Sequence, residues 1–218
     1  SKHAVEVDAV DASGGRPERW SAEHVVVALP AFVAARVVQD IPDPLLHAAK
    51  STRYAPWIVA NLRLRAPLQD RPGAAPSWDN VVYGSAGLGY VDARHQALDP
   101  RPGPTVLTWY LAPGEAARRE VLERPWTAWR DQVLDELGAP HRDLRDKLTR
   151  VEVTRYGHAM SVPVPGTRAR LHGLPLQGLR LSYAHADWAG YSVFEEDFTL
   201  GLHAGRNAAR ALGRRSAG

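Results

Sequence analysis

The chain has 218 residues, 44% of them hydrophobic, with 27 Lys and Arg against 24 Asp and Glu and no Cys. This composition fits a globular protein of one large or two small domains, and it excludes disulfides, thiolate metal sites and cysteine nucleophiles. Because the net charge is only +3 and the Arg residues are scattered among acids, we predict no nucleic-acid binding. The longest apolar run, residues 25–38, contains Pro30 and Arg36, so we also predict no membrane span.

The first forty residues predict two strands and a short helix. Residues 3–10 alternate between polar and apolar, residues 11–18 have the composition of a turn, and residues 22–30 predict a second strand. Three consecutive Val residues in that second strand suggest burial on both faces, as in a sheet covered by helices. Pro30 fits the first turn of a helix over residues 31–39, because its missing N–H costs nothing there.

The middle of the chain predicts an antiparallel sheet with one solvated face. Alternating segments indicate strands at residues 56–64, 80–85, 88–93, 105–111 and 150–157. The glycine-rich segment 84–89 lies between two of these strands, so it predicts a hairpin turn rather than a phosphate-binding loop. Residues 115–138 have helical spacing but contain Pro125, which predicts two helices with a break between them.

The end of the chain predicts a strand, a tight turn and a long helix. The strand covers residues 179–186, Gly190 permits the turn, and the spacing of Ser192 and Glu195 fits a capping box that starts a helix at Val193. The apolar residues of this helix are expected to share one broad packed face: Val193, Phe194, Phe198, Leu202, Ala209 and Leu212.

This closing segment places a single carboxylate, Asp187, between a strand end and a helix start. Free N–H groups at a helix N-terminus suit an anion or an electron-rich ring, so the segment is a candidate cofactor site. Capping boxes and slim helices also occur in proteins that bind no cofactor, so the pattern alone leaves both interpretations open.

Two blocks of sequence, residues 22–64 and 155–212, resemble the C-terminal half of the FAD-dependent amine oxidase family. That family also includes protoporphyrinogen oxidase and phytoene desaturase relatives. The first block is similar to the strand that returns from the substrate domain to the FAD domain, and the second is similar to the closing FAD motif. The resemblance covers most of the chain.

The resemblance implies FAD as the cofactor and assigns roles to particular residues. It places Asp187 toward the ribityl and pyrophosphate part of FAD, and the turn near the N1 and O2 edge of the flavin. The implied cofactor-binding residues are Asp187, Trp188, Gly190, Tyr191 and Ser192. The implied substrate-binding residues are Tyr54, Trp57 and His158, and Trp109 and Tyr110 could line the same cavity. A core position is the simpler interpretation for these aromatic residues, and a structural hydrogen bond is the simpler one for His158.

One feature of the family is missing. No glycine-rich GxGxxG turn, which holds the FAD pyrophosphate, occurs in these residues. Because Ser1 is not an initiator Met, we expect a missing N-terminal FAD-binding segment or a partner subunit to supply that turn, and we expect the chain alone to be inactive. The alternative is a non-catalytic binding or interaction domain.

The expected fold is therefore α/β or α+β, with an antiparallel substrate-domain sheet and an incomplete Rossmann-like lobe formed by both chain ends. The predicted parts are residues 1–40 and 161–218 in the FAD-binding lobe and residues 41–160 in the substrate domain. The implied reaction oxidises a small amine, or a related C–N or C–C substrate, by hydride transfer to flavin. We identify no catalytic acid or base, predict no metal site because the His residues are dispersed, and expect a cytoplasmic protein.

Overall fold

The computed structural model describes residues 4–70, 73, 77–99 and 101–213. The chain divides into two compact units, the first made of Ser1–Arg53 with Ser161–Gly218 and the second of Tyr54–Met160. The mixture of helices with an antiparallel sheet confirms the predicted fold class. Residue 3 of the first predicted strand lies outside the described residues.

The first unit begins with three strands and two helices. Strands β1 (Val5–Val10) and β2 (Pro17–Ala22) form an antiparallel hairpin, and β3 (Val25–Val27), α1 (Ala31–Val37) and α2 (Asp43–Ser51) follow. Strand β2 was not predicted, because its residues are almost all exposed and have no apolar face. The helix α2 was not predicted, although the prolines at its start, Pro42 and Pro44, fit the first turn of a helix.

The second unit is built on a five-stranded sheet. Its strands are β4 (Tyr54–Leu64), β5 (Asp79–Asn80), β6 (Gly89–Asp92), β7 (Thr105–Leu111) and β8 (Leu148–Ser161), which extends one residue beyond the unit. The strand order is β5-β6-β7-β4-β8, with antiparallel pairing of β5 to β6, β6 to β7 and β7 to β4. The predicted antiparallel sheet and a turn between two strands at residues 84–89 are therefore confirmed. The strand predicted at residues 80–85 is wrong beyond Asn80, because β5 ends there and residues 81–88 form the connection to β6.

Helices cover one face of this sheet. They are α3 (Arg118–Glu123), α4 (Trp126–Gly138) and α5 (Leu144–Lys147), and the break before Trp126 confirms the predicted effect of Pro125. Alternate residues of β4 and β7 are buried against the helices, where Ile58, Trp109 and Leu137 belong to one core. The intervening residues form the other face and stay partly exposed.

The first unit closes with α6 (Thr167–Leu171), β9 (Leu181–Tyr183) and α7 (Phe194–Ala211). Strand β9 pairs in parallel with β3 over three residue pairs, from Val25↔Leu181 to Val27↔Tyr183. A small core of α1, α2 and these strands includes Ala34, Leu45 and Trp188. No described helix combines the length and hydropathy that crossing a bilayer requires.

Two expectations about the closing helix α7 are wrong. The N-cap is Val193 with no side-chain cap, because the Ser192 hydroxyl instead contacts Ser161, so the capping box does not form. The packed face includes Leu200, Ala204 and Asn207, whereas the apolar residues expected on it are largely exposed, including Phe194 at 75% and Phe198 at 61%.

Candidate functional site

The carboxyl ends of β3 and β9 form what we call the strand-end corner, defined by Ala31, His185 and Asp187. Because β3 and β9 are parallel, the segments that follow them both begin at the same edge of the sheet. Ligands bind at this edge in open α/β sheets. Asp187 lies on a 3₁₀ turn, Ala186–Trp188, directly after β9, and it is 2% exposed. The corner therefore holds a buried carboxylate.

The carboxylate of Asp187 has a structural partner in the chain. Its Oδ2 accepts a hydrogen bond from the backbone N–H of Ala31 at 2.9 Å, and Ala31 is the first residue of α1. The first N–H groups of a helix have no partner within the helix. The buried carboxylate of Asp187 therefore supplies the hydrogen bond that water would otherwise supply to Ala31. Asp187 thus joins the two ends of the chain within the first unit.

His185 is the titratable neighbour of this carboxylate. The backbone N–H of Asp187 donates to His185 Nδ1 at 3.1 Å, and the same Nδ1 lies 3.5 Å from Asp187 Oδ2. Burial lowers the pKa of His185, but the hydrogen bond to Asp187 and the charges of Asp187 and Asp197 oppose it, and the net pKa is raised. The raised pKa favours protonation of His185, which offsets part of the negative charge at the corner but removes Nδ1 as an acceptor for the Asp187 N–H.

The turn that follows has the conformation expected from its glycine. Gly190 has φ of 83°, which a side chain would disfavour, and its N–H donates to Ala186 O at 3.0 Å. Tyr191 is half exposed at 49%. Ser192 Oγ accepts from the backbone N–H of Ser161 at 2.9 Å, so this hydroxyl ties the turn to the end of β8.

The start of α7 is open but acidic. Val193 gives it no side-chain cap, and its first turn carries Glu195, Glu196 and Asp197. Asp197 Oδ1 accepts a hydrogen bond from the N–H of Ala186 at 2.5 Å, which draws that acid back to the strand-end corner. Since like charges repel, this first turn is better suited to a neutral polar ring edge than to a phosphate.

Trp188 and Tyr183 lie beneath the corner in the small core. Each is 2% exposed, and their rings pack edge to face with centroids 5.9 Å apart. Trp188 Nε1 and the Tyr183 hydroxyl have no hydrogen-bond partner within the part of the chain that the structure describes. Both groups can donate a hydrogen bond, and no described residue accepts one from them. The ring of Trp188 itself packs in the small core.

The three implied substrate residues all lie in the second unit but do not form one cluster. Tyr54 is 5% exposed and its ring packs edge to face on His158, with centroids 5.7 Å apart. Trp57 is three residues further along β4 and so points to the opposite face, where its ring lies 6.2 Å from that of Tyr110. Trp109 is fully buried on the helix-covered face.

The second unit also contains a cavity of about 370 Å³ that the sequence did not predict. It is lined by Leu68, Asp92 and Leu107, and by a buried pair in which the Tyr90 hydroxyl lies 2.7 Å from His141 Nε2. The pair joins residues 51 positions apart, so no local pattern signals it. Among the described residues, no three His, Asp or Glu side chains are grouped closely enough to hold a metal ion.

Comparison with solved structures identifies a class of fold. Cyclohexylamine oxidase from Brevibacterium oxydans IH-35A matches with a TM-score of 0.68 and 18% identity, over 98% of this chain and 47% of that chain. Putrescine oxidase bound to putrescine matches with a TM-score of 0.65 and 14% identity, over 90% of this chain and 44% of that one. Reduced UDP-galactopyranose mutase matches with a TM-score of 0.64 and 11% identity, over 92% and 44%.

These matches confirm the resemblance to amine oxidases at the level of the fold. The chain spans about half the length of the structures that it matches. Neither protein-family models nor curated protein sequences give a match. Because a mutase shares the fold with two oxidases, the fold does not by itself decide the reaction.

Proposed function

We propose that these residues form part of a FAD-dependent oxidoreductase that oxidises an amine or a related C–N or C–C substrate. The observation that carries this proposal is the strand-end corner, where a buried Asp187 lies at the carboxyl edge of a parallel strand pair beside an uncapped helix start. The fold similarity to cyclohexylamine oxidase and putrescine oxidase supports it.

The corner fits one side of a FAD site and not the whole of it. Asp187, Trp188 and the turn of Gly190, Tyr191 and Ser192 are the residues proposed to hold the cofactor. The uncapped N–H groups at the start of α7 suit the polar edge of a flavin ring. The acids of that first turn, and the absence of GxGxxG from the sequence, do not suit the pyrophosphate.

A second polypeptide segment is therefore part of the proposal. Parallel sheets are normally covered on both faces and have more than two strands, yet β3 and β9 form a sheet of two. The apolar side chains of α7, including Phe194 and Phe198, are exposed. We infer that an N-terminal FAD-binding segment, or a partner subunit, adds strands beside β3 and covers this helix.

The chemistry itself would come from the cofactor. When bound, FAD supplies a hydride acceptor that oxidises a C–N or C–C bond. The contribution of this chain is to bind the cofactor through the first unit and to bind a small-molecule substrate through residues of the second unit. The proposed contacts are either the pair of Tyr54 and His158 or Trp57, which lies on the opposite face of β4. No described side chain is assigned as a proton donor or acceptor for the reaction.

A non-catalytic binding domain is the second candidate function. The acidic first turn of α7 is the specific observation that favours it, because three carboxylates repel the anionic parts of FAD. In that case the exposed helix would bind another protein, and the amine oxidase fold would be kept without its cofactor.

The substitution Asp187→Asn separates the structural role of this residue from its proposed role in FAD binding. The amide oxygen still accepts the hydrogen bond from Ala31, so the fold is kept, but the charge is lost. In the complete gene product, including any sequence encoded upstream of Ser1, we expect wild-type protein to retain FAD through dialysis and the Asn variant to lose most of it. Absorbance in the flavin bands after dialysis gives the retained fraction.

The matched control is Asp43→Asn, which removes an exposed carboxylate from the same unit and should leave the flavin content unchanged. Asp187→Ala should in addition lower the free energy of unfolding by about 1–3 kcal/mol, because it leaves the Ala31 N–H buried without an acceptor. Equal flavin content in wild type and Asp187→Asn would remove the proposed role of this carboxylate. A wild-type gene product that never binds FAD would favour the non-catalytic domain.

A further inference from the structure

One arginine of the second unit holds two strands by their main-chain carbonyls. Arg118 is the first residue of α3, and its side chain is 30% exposed. Its Nε donates a hydrogen bond to the carbonyl oxygen of Gly157 at 2.8 Å, and its Nη2 donates one to the carbonyl oxygen of Tyr54. A single guanidinium therefore joins the start of β4 to β8.

These two bonds depend on the shape of the arginine side chain. The donors lie on one planar and rigid guanidinium, so they fix two acceptors at once, whereas a lysine ammonium is a single point on a flexible stem. Because the donor group is charged, both bonds are stronger than ordinary main-chain hydrogen bonds. The carboxylate of Glu115 is more distant, with Oε1 3.8 Å from Nη2, so the carbonyls are the closer partners.

The same helix also packs closely on Gly157. A Cβ on Gly157 would lie 3.1 Å from Cδ1 of Leu122, which is closer than ordinary van der Waals contact. Leu122 follows Arg118 by about one helical turn, so the two side chains lie on the same face of α3. This face of α3 thus fixes Gly157 both at its carbonyl oxygen and at its Cα.

Both carbonyls belong to the main chain that carries a pair of rings. Tyr54 is 5% exposed, and its ring packs edge to face on His158, with centroids 5.7 Å apart and planes inclined by 67°. His158 follows Gly157 directly and is exposed. The pair is therefore an exposed imidazole on a buried phenol, and each ring is attached to a peptide group that Arg118 holds.

We propose that Arg118 is a positioning residue for substrate binding, because it holds His158 on Tyr54 in the orientation that meets the substrate. A side chain that binds a ligand needs its own main chain and rotamer fixed by the contacts around it, and Arg118 supplies those contacts. It acts through His158 and does not itself touch the substrate. This inference rests on the proposed function, and it selects the pair of Tyr54 and His158 over Trp57 as the substrate contact.

The orientation of the two rings is measured without any flavin. In the 218-residue protein, NMR should show nuclear Overhauser effects between the rings of Tyr54 and His158. Arg118→Lys keeps the charge but cannot hold both carbonyls, so these effects should be lost. Arg119→Lys is the matched control, because the side chain of Arg119 is 85% exposed and pairs with Glu123, and the effects should persist there. Their persistence in Arg118→Lys would overturn the inference.

Steady-state kinetics of the complete gene product, including any sequence encoded upstream of Ser1, test the role in binding with benzylamine as the probe substrate. Arg118→Lys should raise KM about 10-fold and leave kcat per bound flavin within about 2-fold, because a displaced contact weakens binding. A merely structural loss would lower the amount of active protein and leave KM unchanged. Arg119→Lys should leave both constants unchanged.

A double variant shows whether Arg118 acts through His158. His158→Gln should raise KM at least as much as Arg118→Lys does, and the double variant should match His158→Gln, because both changes remove the same contact. An unchanged KM in Arg118→Lys, or additive effects in the double variant, would overturn the inference and leave the proposed function in place. A wild type that binds FAD yet oxidises neither benzylamine nor butylamine would contradict the proposed function, and this inference would fail with it.

Discussion

The two units of this protein use their apolar residues in opposite ways. Among the described residues, the largest fully buried side chains fall mainly in the second unit, and only Leu45 and Asp187 represent the first. The first unit instead exposes Trp20, Phe194 and Phe198 on regular strands and helices. The exposed apolar residues of the second unit lie mostly on connections, such as Val81 and Leu98.

This difference indicates how completely each unit can fold on its own residues. Five strands with helices on one face give the second unit a continuous core. Two separate pairs of strands give the first unit little sheet surface to bury, and so its amphipathic helix keeps an exposed apolar face. The comparison supports the proposal that another segment completes the first unit.

Replacing one Trp by Ala in each unit gives the largest expected difference in the free energy of unfolding. Trp109→Ala should lower the free energy of unfolding by about 3–5 kcal/mol, because Trp109 is fully buried and its Nε1 donates to Glu136 at 3.2 Å. Trp20→Ala, at a residue 64% exposed, should change it by less than about 0.5 kcal/mol. Urea unfolding followed by circular dichroism measures both. Similar losses for the two variants would contradict the difference between the units.

A smaller effect is expected on the exposed face of α7. Phe198→Ser should change the free energy of unfolding by less than about 0.5 kcal/mol while reducing self-association, which sedimentation velocity measures. Leu200→Ser is the matched control on the packed face of the same helix and should destabilise the protein, because Leu200 contacts the small core. If Phe198→Ser destabilised the protein as much as Leu200→Ser, the exposed face would not be available to a partner.

Much of the second unit could be predicted from sequence because its strands alternate clearly. β4 and β7 bury every other residue, and their sequences show the same alternation. The elements of the first unit are harder to predict from sequence, since β2 has no apolar face and α2 starts with prolines. The face of α7 was predicted wrongly because an apolar stripe normally packs within its own chain, and here it does not.

The candidate site was predictable only in part. Asp187 and Gly190 stand out in sequence as an acid after a strand and a glycine in a turn, and the structure places both as the pattern indicates. The hydrogen bond of Asp187 to Ala31 joins residues 156 positions apart, so only coordinates reveal it.

Hydrogen exchange of the 218-residue protein tests the central claim most directly, which is that the first unit is incomplete and the second is not. We expect the amides of β3 and β9 to exchange more than about 100-fold faster than those of β4 and β7, because a sheet of two short strands opens easily. Mass spectrometry of peptides from the four strands gives the rates. Equal protection of the two strand pairs would show that the first unit is complete by itself, and the proposed completing segment would have no place to bind.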